Sequence, residues 1–316
     1  MTGGRSPPAR CVRQSGPSIH LRNLRFARPA APMPAPRHSS PSRHRRDDEQ
    51  MIHGLHACEA VLARRPEAII RAYFTADRRR QLGPLVTWCA QHRRGYQLVE
   101  ADNLAKIAGT RHHEGVVILA KNAPRWKEAD LLASIEHGSL AGPLLLLDGI
   151  ENPHNLGSIL RTAAHFGVGA ILGKSGRLPP LSAAAIRVAE GAAEVVPLVE
   201  LARPGPELAR LRELGFRPVA TSSRHGEPLE SAGLDRNSLI ILGGEHAGVA
   251  PSLEAEAETT VRIAGSGEVE SLNVAVACGI LLAEACRGHS AAAANGSASR
   301  RRRRLGRSGG SAEPPP

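Results

Sequence analysis

The stretch LLLLDGIENPHNLGSILRTAAHFGVGAIL, residues 144–172, decides the fold. Its first four residues are leucines and Asp148 ends the run, the pattern of a short strand covered on both faces. Residues 149–154 are a polar turn containing Pro153. Asn155 is placed to cap a helix, because its side-chain oxygen can accept a backbone N–H that a first turn leaves unpaired. Leu156, Ile159, Leu160, Ala163 and Ala164 then recur at helical spacing, Gly167 closes the helix, and residues 168–172 are a second apolar strand. Strand, turn, helix and strand within about 30 residues make one βαβ unit. Ligands of an open parallel sheet bind beyond the carboxyl ends of its strands. Arg161 follows the apolar pair Ile159 and Leu160 on this helix. A guanidinium there suits a phosphate or carboxylate ligand, and it equally suits a solvated helix surface.

Helix and strand alternate on both sides of this unit. Upstream, helical patterns at 56–62, 85–92 and 101–108 and strands at 68–74, 96–99 and 115–120 make a small α/β module. Residues 122–143 are a polar linker with one helical pattern at 130–135. Downstream, Ser182 can cap a helix running through Ala193, and a second helix is expected at 207–214. Strands are expected at 195–199, 217–221, 238–242 and 259–263. The last pattern, 272–285, has almost no polar face, which places that helix in a core or against another subunit. The domain plan is a disordered basic tail over 1–50, a first module over 51–121, a linker over 122–143, a second domain over 144–287 and a disordered basic tail over 288–316.

The formal net charge of +11 is unevenly placed. Residues 1–50 carry ten basic and three acidic groups, 51–125 twelve and six, 126–287 thirteen and twenty, and 288–316 six and one. A polyanionic partner such as nucleic acid would be gripped by the first module and the tails, while the acidic second domain does something else; basic tails equally serve solubility. Arg78, Arg79 and Arg80 behind a strand, and Arg93 and Arg94 at a helix end, are the candidate phosphate contacts, and such runs equally suit a solvated charged face. The five cysteines, Cys11, Cys58, Cys89, Cys278 and Cys286, form no C-x-x-C pair and read as reduced thiols of a cytoplasmic protein. His53 with His56, and His112 with His113, lack an accompanying thiol or carboxylate cluster, so no metal is expected. No run approaches the roughly 18 apolar residues of a membrane span.

Three strand-to-loop junctions of the second domain stand out: 148–161, 243–248 and 263–273. Gly243, Gly244 and Gly248 let backbone approach a ligand closely. Their order is neither a dinucleotide fingerprint nor a P-loop, and Glu245 among them favours a ligand carrying donors, such as a ribose or amino group. In order and spacing the junctions resemble the signature motifs of the SpoU (TrmH-like) branch of the SPOUT RNA methyltransferases: NPHNLGSILRTA (152–163), ILGGEHAG (241–248) and SLNVAVA (271–277). Upstream, IHGLHACEAVL (52–62) and GTRHHEGVV (109–117) resemble the small substrate-binding domain of the 23S rRNA 2′-O-ribose methyltransferase subgroup.

The resemblance implies an α/β protein with a C-terminal SPOUT domain, a parallel sheet with a deep trefoil knot, behind a small L30e-like α/β domain. It implies S-adenosylmethionine as cofactor, a homodimer through the knot domain with the active site at the subunit interface, and an rRNA or tRNA substrate methylated on a ribose 2′-hydroxyl. Matching catalytic positions are Arg161, Asn155, Glu245, Ser271 and Asn273. Matching cofactor positions are Thr221, Ser222, Gly243, Gly244, Gly248, Ile263, Leu272 and Asn273. Ala275 departs from the pattern, since many members have Ser there. Two other readings stand beside this one: a catalytically silent RNA-binding or ribosome-assembly factor of the same fold, and a methyltransferase acting on a base nitrogen. Intact Arg161, Asn155, Glu245 and Asn273 argue against the first, and the position of Arg161 in the first motif argues against the second.

Overall fold

A computed structural model of the chain describes residues 48–244 and 247–287. The expected tails, save for residues 48–50, and Glu245 lie outside the described residues.

The first module contains β1 (Glu49–His53), α1 (Leu55–Arg64), β2 (Ile69–Phe74), α2 (Gly83–Gln91), β3 (Gly95–Leu98), α3 (Ala101–Ala108) and β4 (Val116–Lys121). Its sheet has the order β1-β4-β2-β3. β4 is antiparallel to β1 and β2, and β2 is parallel to β3. β1 corrects the expectation that disorder reaches residue 50: Glu49 and Gln50 lie opposite Lys121 and Ala120. Its sequence, EQMIH, is half polar, and what makes it a strand is the partner it finds in β4.

The second sheet is built from β5 (Trp126–Lys127), α4 (Glu128–Glu136), β6 (Leu144–Asp148), α5 (Pro153–Phe166), β7 (Ala170–Lys174), α6 (Ala183–Val188), β8 (Leu198–Leu201), α7 (Pro204–Glu213), β9 (Arg217–Thr221), β10 (Glu227–Pro228), β11 (Ser238–Gly243), α8 (Pro251–Glu254) and β12 (Thr259–Arg262). A final helix, α9, spans 274–287. The strand order is β10-β12-β9-β11-β6-β7-β8-β5 and every pairing is parallel. The leucines of β6 alternate as a pleated strand requires. Leu145 and Leu147 join Leu156 and Ile159 on one face, while Leu144 and Leu146 join Leu131, Leu208 and Leu211 on the other. Both faces are covered, which is why the run carries no polar residue before Asp148.

Two local expectations change. Ser182 does accept the Ala185 N–H as a cap, but the helix stops at Val188 rather than Ala193. Glu190 and Gly191 take left-handed backbone, φ +51° and +90°, which no α-helix continues through. β8 starts at Leu198 instead of 195.

One apolar core runs through both modules, joining Ile52, Leu55, Cys58 and Val61 to Ile186, Ala189, Ala192 and Ala193. Two ion pairs flank it. Arg65 grips Glu194 through Nε–Oε2 at 2.5 Å and Nη2–Oε1 at 2.8 Å. Arg187 pairs with Glu114 at 3.0 Å, and the other Glu114 oxygen accepts the N–H of Leu55, the first residue of α1. Cys58, Cys89 and Cys278 are buried free thiols; burial pushes Cys89 up to about 11 and Cys278 up to about 12. Among the described residues no helix is long and apolar enough to cross a membrane, and no group of three or more His, Cys, Asp or Glu side chains could hold a metal.

The Arg65–Glu194 side chains are only 11% and 4% exposed, so removing one partner strands a buried charge. Arg65→Ala is expected to cost about 3–5 kcal/mol. The urea midpoint falls accordingly, and Arg65→Met with Glu194→Leu recovers most of it. A single variant within 1 kcal/mol of the parent, on the order of a surface pair, would contradict a buried latch.

Candidate functional site

The loops after β9, β11 and β12 and the start of α9 enclose a cavity of about 570 Å³. That volume lies within the range of about 300–1,000 Å³ that small-ligand pockets occupy. The walls include Thr221, Ser222, Gly243, Gly244, Gly248, Ile263, Ser271 and Leu272. All of the proposed cofactor positions except Asn273 therefore meet at one cavity. Its apolar floor comes from Leu242, Val261, Val274 and Leu281.

The glycines are required by contact. A Cβ on Gly243 would sit 2.1 Å from the carbonyl carbon of Gly248, and one on Gly244 would sit 2.5 Å from the Gly149 oxygen. Gly248 has φ +69° and donates its N–H to the Gly244 oxygen at 2.9 Å, closing the turn on itself. Beyond the turn, Asp148 Oδ2 accepts the Ala250 N–H at 2.8 Å, so the end of β6 holds the loop that leaves β11. This role of Asp148 was not read from the sequence; its place at a strand's carboxyl end was the available signal. Thr221 donates its hydroxyl to the Ile241 oxygen at 2.8 Å, fixing the loop after β9 to β11.

Asn155 is not the cap of α5. Asn152 is, accepting the His154 N–H at 2.9 Å, with Pro153 in the first helical position. The Asn-Pro pair is the signal that identifies this cap, because proline suits the first turn where its missing N–H costs nothing. Asn155 lies inside the helix, 8% exposed. Its Oδ1 accepts from Asn273 Nδ2 at 3.0 Å across 118 residues of sequence. Asn273 Oδ1 in turn accepts the Ala275 N–H at 2.9 Å, and the Asn273 carbonyl accepts Ala277 N–H, so Asn273 caps α9. The first and third junctions are thus joined directly, behind the cavity wall.

Arg161 is not among the residues lining the cavity. It lies on the third turn of α5, 64% exposed at its side chain, with its guanidinium 4.0 Å from Glu190. The arginines of the first module divide into two places. β2 and β3 are parallel, with Arg71 opposite Gly95. Arg78, Arg79 and Arg80 follow the carboxyl end of β2, whereas Arg93 and Arg94 precede β3 at the opposite end of the pair. A six-residue strand separates the two groups by about 20 Å. Arg78 packs against Gly115, beside the Glu114–Arg187 contact to the second module.

A further cluster was not anticipated. Ser222 Oγ lies 3.1 Å from His225 Nδ1 and accepts the backbone N–H groups of Arg224 and His225. His225 Nε2 reaches Glu254 Oε1 at 2.6 Å, and Thr260 donates to the same oxygen at 3.0 Å. These contacts order the loop after β9 against α8 and β12. The hydrogen bond from His225, then that from Thr260, holds the Glu254 carboxyl below its usual 4.5.

Residues 142–283 match the model of the SpoU rRNA methylase family, and residues 51–126 match that of the RNA 2′-O ribose methyltransferase substrate-binding domain. The chain is 35% identical over 242 residues to an uncharacterized tRNA/rRNA methyltransferase of Escherichia coli O157:H7, spanning 77% of this chain and 69% of the relative. It is 35% identical over 243 residues to a 23S rRNA (guanosine-2′-O-)-methyltransferase of Nitrosomonas europaea, spanning 76% of this chain and 92% of the relative. A solved structure of a putative RNA methyltransferase of the TrmH family from Porphyromonas gingivalis aligns with TM-score 0.60 at 25% identity, over 76% of this chain and 90% of its own. The fold is shared with the SpoU methyltransferase AviRb from Streptomyces viridochromogenes in complex with AdoMet, at TM-score 0.62 and 21% identity, over 77% of this chain and 91% of that one.

A carboxyl held below its unfolded value stabilises the fold above that value, and the contribution is lost as pH falls through the folded value. His225→Ala is accordingly expected to return the Glu254 titration upward toward 4.5, read by carboxyl-carbon NMR, and to weaken this acid-side dependence. An unmoved Glu254 titration in that variant would remove His225 as the cause. Gly243→Ala, forced against backbone, is expected to lower the thermal midpoint and disorder the cavity.

Proposed function

The chain belongs to the SpoU rRNA methylase family, an RNA 2′-O-ribose methyltransferase by that membership, and from it we propose how this chain works. The methyl donor is S-adenosylmethionine, bound in the cavity among the loops after β9, β11 and β12; these loops and α9 form the trefoil knot. The observation that carries this reading is the glycine-lined cavity: a Cβ on Gly243 or Gly244 would collide with the backbone of Gly248 or Gly149, so the turn packs tightly and its glycines stand in the cavity wall without side chains. Leu242, Val261 and Leu281 suit a purine face, and Thr221, Ser222 and the backbone of Gly243, Ile263 and Leu272 suit the polar remainder. When bound, S-adenosylmethionine supplies an electrophilic methyl group, which leaves the protein chiefly to align the 2′-oxygen and manage its charge.

Arg161 serves that charge. A guanidinium is a poor base, so it stabilises the oxyanion developing on the ribose or holds the adjacent phosphate. The Asn155–Asn273 pair fixes the start of α5 against α9, and Ser271 and Glu245 complete the proposed catalytic group. Since Arg161 does not line the cavity of its own chain, a second copy completes the site. Val276 and Ile280 on α9, 52% and 37% exposed, form an apolar strip that a partner would cover, continued by Leu272 just before the helix, 43% exposed. The substrate is rRNA or tRNA in the cytoplasm. Arg78, Arg79 and Arg80, next to the contact between the modules, bind its backbone near the reacting ribose, and Arg93 and Arg94 bind it farther away.

Mass-spectrometric mapping of 2′-O-methyl nucleosides in rRNA and tRNA, from cells with and without the gene, tests the activity. One methylation is expected to vanish on deletion and to stay absent with an Arg161→Ala copy. In vitro that variant is expected to lose about 10²–10³-fold in kcat, with S-adenosylmethionine affinity by calorimetry within twofold, on the order of experimental scatter. Restoration of the methylation by Arg161→Ala would exclude this role for the arginine. S-adenosylmethionine binding with no methylation lost in either RNA pool would favour the silent-factor reading.

A further inference from the structure

Three residues of the segment 187–194 each reach the first module. Arg187 pairs with Glu114 at 3.0 Å, Glu190 Oε2 stands 3.9 Å from His56 Nε2, and Glu194 is gripped by Arg65. The middle contact differs in kind. Glu190 has φ +51°, a conformation a residue with a Cβ adopts rarely. Gly191 beside it packs so closely on α1 that a Cβ would lie 2.9 Å from that of Ala60 and 3.1 Å from the His56 oxygen. The turn is therefore pressed onto α1, and the Glu190 carboxylate stands between His56 of α1 and Arg161 of α5. The second oxygen of that carboxylate, Oε1, is the one 4.0 Å from Arg161 Nη1. His56 is held on its other ring nitrogen by Glu59, 3.5 Å from Nδ1.

We propose that Glu190 is a positioning residue for Arg161, and that His56, brought onto the same carboxylate by the first module, makes the orientation of Arg161 depend on docking of that module. The inference rests on the reading of Arg161 given above. One oxygen faces the guanidinium and the other faces the imidazole on α1, so a turn of the carboxylate changes its distance to both partners together. Ion pairs this exposed contribute little to stability. The effect belongs to turnover, where a misplaced group is costly although the fold is unaffected.

The test uses the full-length protein, total RNA from cells lacking the gene, and tritium transfer from methyl-labelled S-adenosylmethionine. Glu190→Gln is expected to lower kcat by about 10- to 100-fold with KM for RNA and the thermal midpoint unchanged, and Glu190→Asp to recover part of the loss. His56→Ala is expected to reduce kcat in the same sense but less. In an Arg161→Ala background Glu190→Gln should add nothing. Side-chain NMR provides a readout independent of activity: the Arg161 Nε–H signal, assigned by its loss in Arg161→Lys, should broaden or shift in Glu190→Gln and His56→Ala. Unchanged kcat and an unmoved signal in Glu190→Gln, with Arg161→Ala inactive, would overturn the positioning role and leave the proposed function standing. A parental signal in His56→Ala would overturn the dependence on docking. Full activity of Arg161→Ala would instead overturn the reading beneath both.

Discussion

The side chain of Asn273 is used at both ends. Its oxygen caps α9 and its nitrogen donates to Asn155, buried in α5. A carboxamide can do this because it carries a donor and an acceptor on one rigid plane. The consequence is geometric: the helix that forms one wall of the cavity cannot shift without pulling on the helix that carries Arg161. A threonine or aspartate could cap α9 equally well, but neither would offer the N–H₂ that reaches Asn155. That the two partners lie 118 residues apart makes the bond a closure of the whole second domain. Neighbouring contacts act in the same way over shorter spans, such as Asp148 on Ala250 and Thr221 on the Ile241 carbonyl.

Much of this architecture is legible in the chain. The β6-α5-β7 unit follows from four leucines, helical spacing and Gly167, because strands buried on both faces need no polar residue and a helix needs an apolar stripe. The glycine turn after β11 is equally plain. Other features depend on partners that no local pattern announces. β1 is half polar and exists because β4 offers it an edge, and β5 is a two-residue pairing with β8. Asn152 rather than Asn155 caps α5, a distinction visible only through Pro153. The helix after Ser182 is cut short by left-handed backbone at Glu190, where glycine alone would have been the expected sign.

The relation between the modules belongs to the part that is not legible. A polar stretch before β6 suggests a linker, yet the apolar core is continuous from Ile52 to Ala193 and is clamped by a buried arginine–glutamate pair. A buried pair of this kind is poor evidence of added stability, since its desolvation nearly cancels its attraction. What it supplies is register. It joins the end of α1 to the segment that follows α6, on the same face where Glu114 meets Arg187 and Arg78 packs on Gly115.

The strand order has a further meaning for how the chain is made. β11 lies at the centre of the sheet, between β6 and β9, although it is among the last strands to be synthesised. β9 has no neighbour other than β11 and β12, so it stays unpaired until residue 243 has left the ribosome. The first module, whose strands are all complete by Lys121, has no such delay. Parallel strands paired over long loops close slowly. During that interval the edge of β6 that β11 will cover, and both edges of β9, are unpaired, while β7 is already flanked by β6 and β8; open apolar strand edges of this kind are where a nascent chain is prone to mispair.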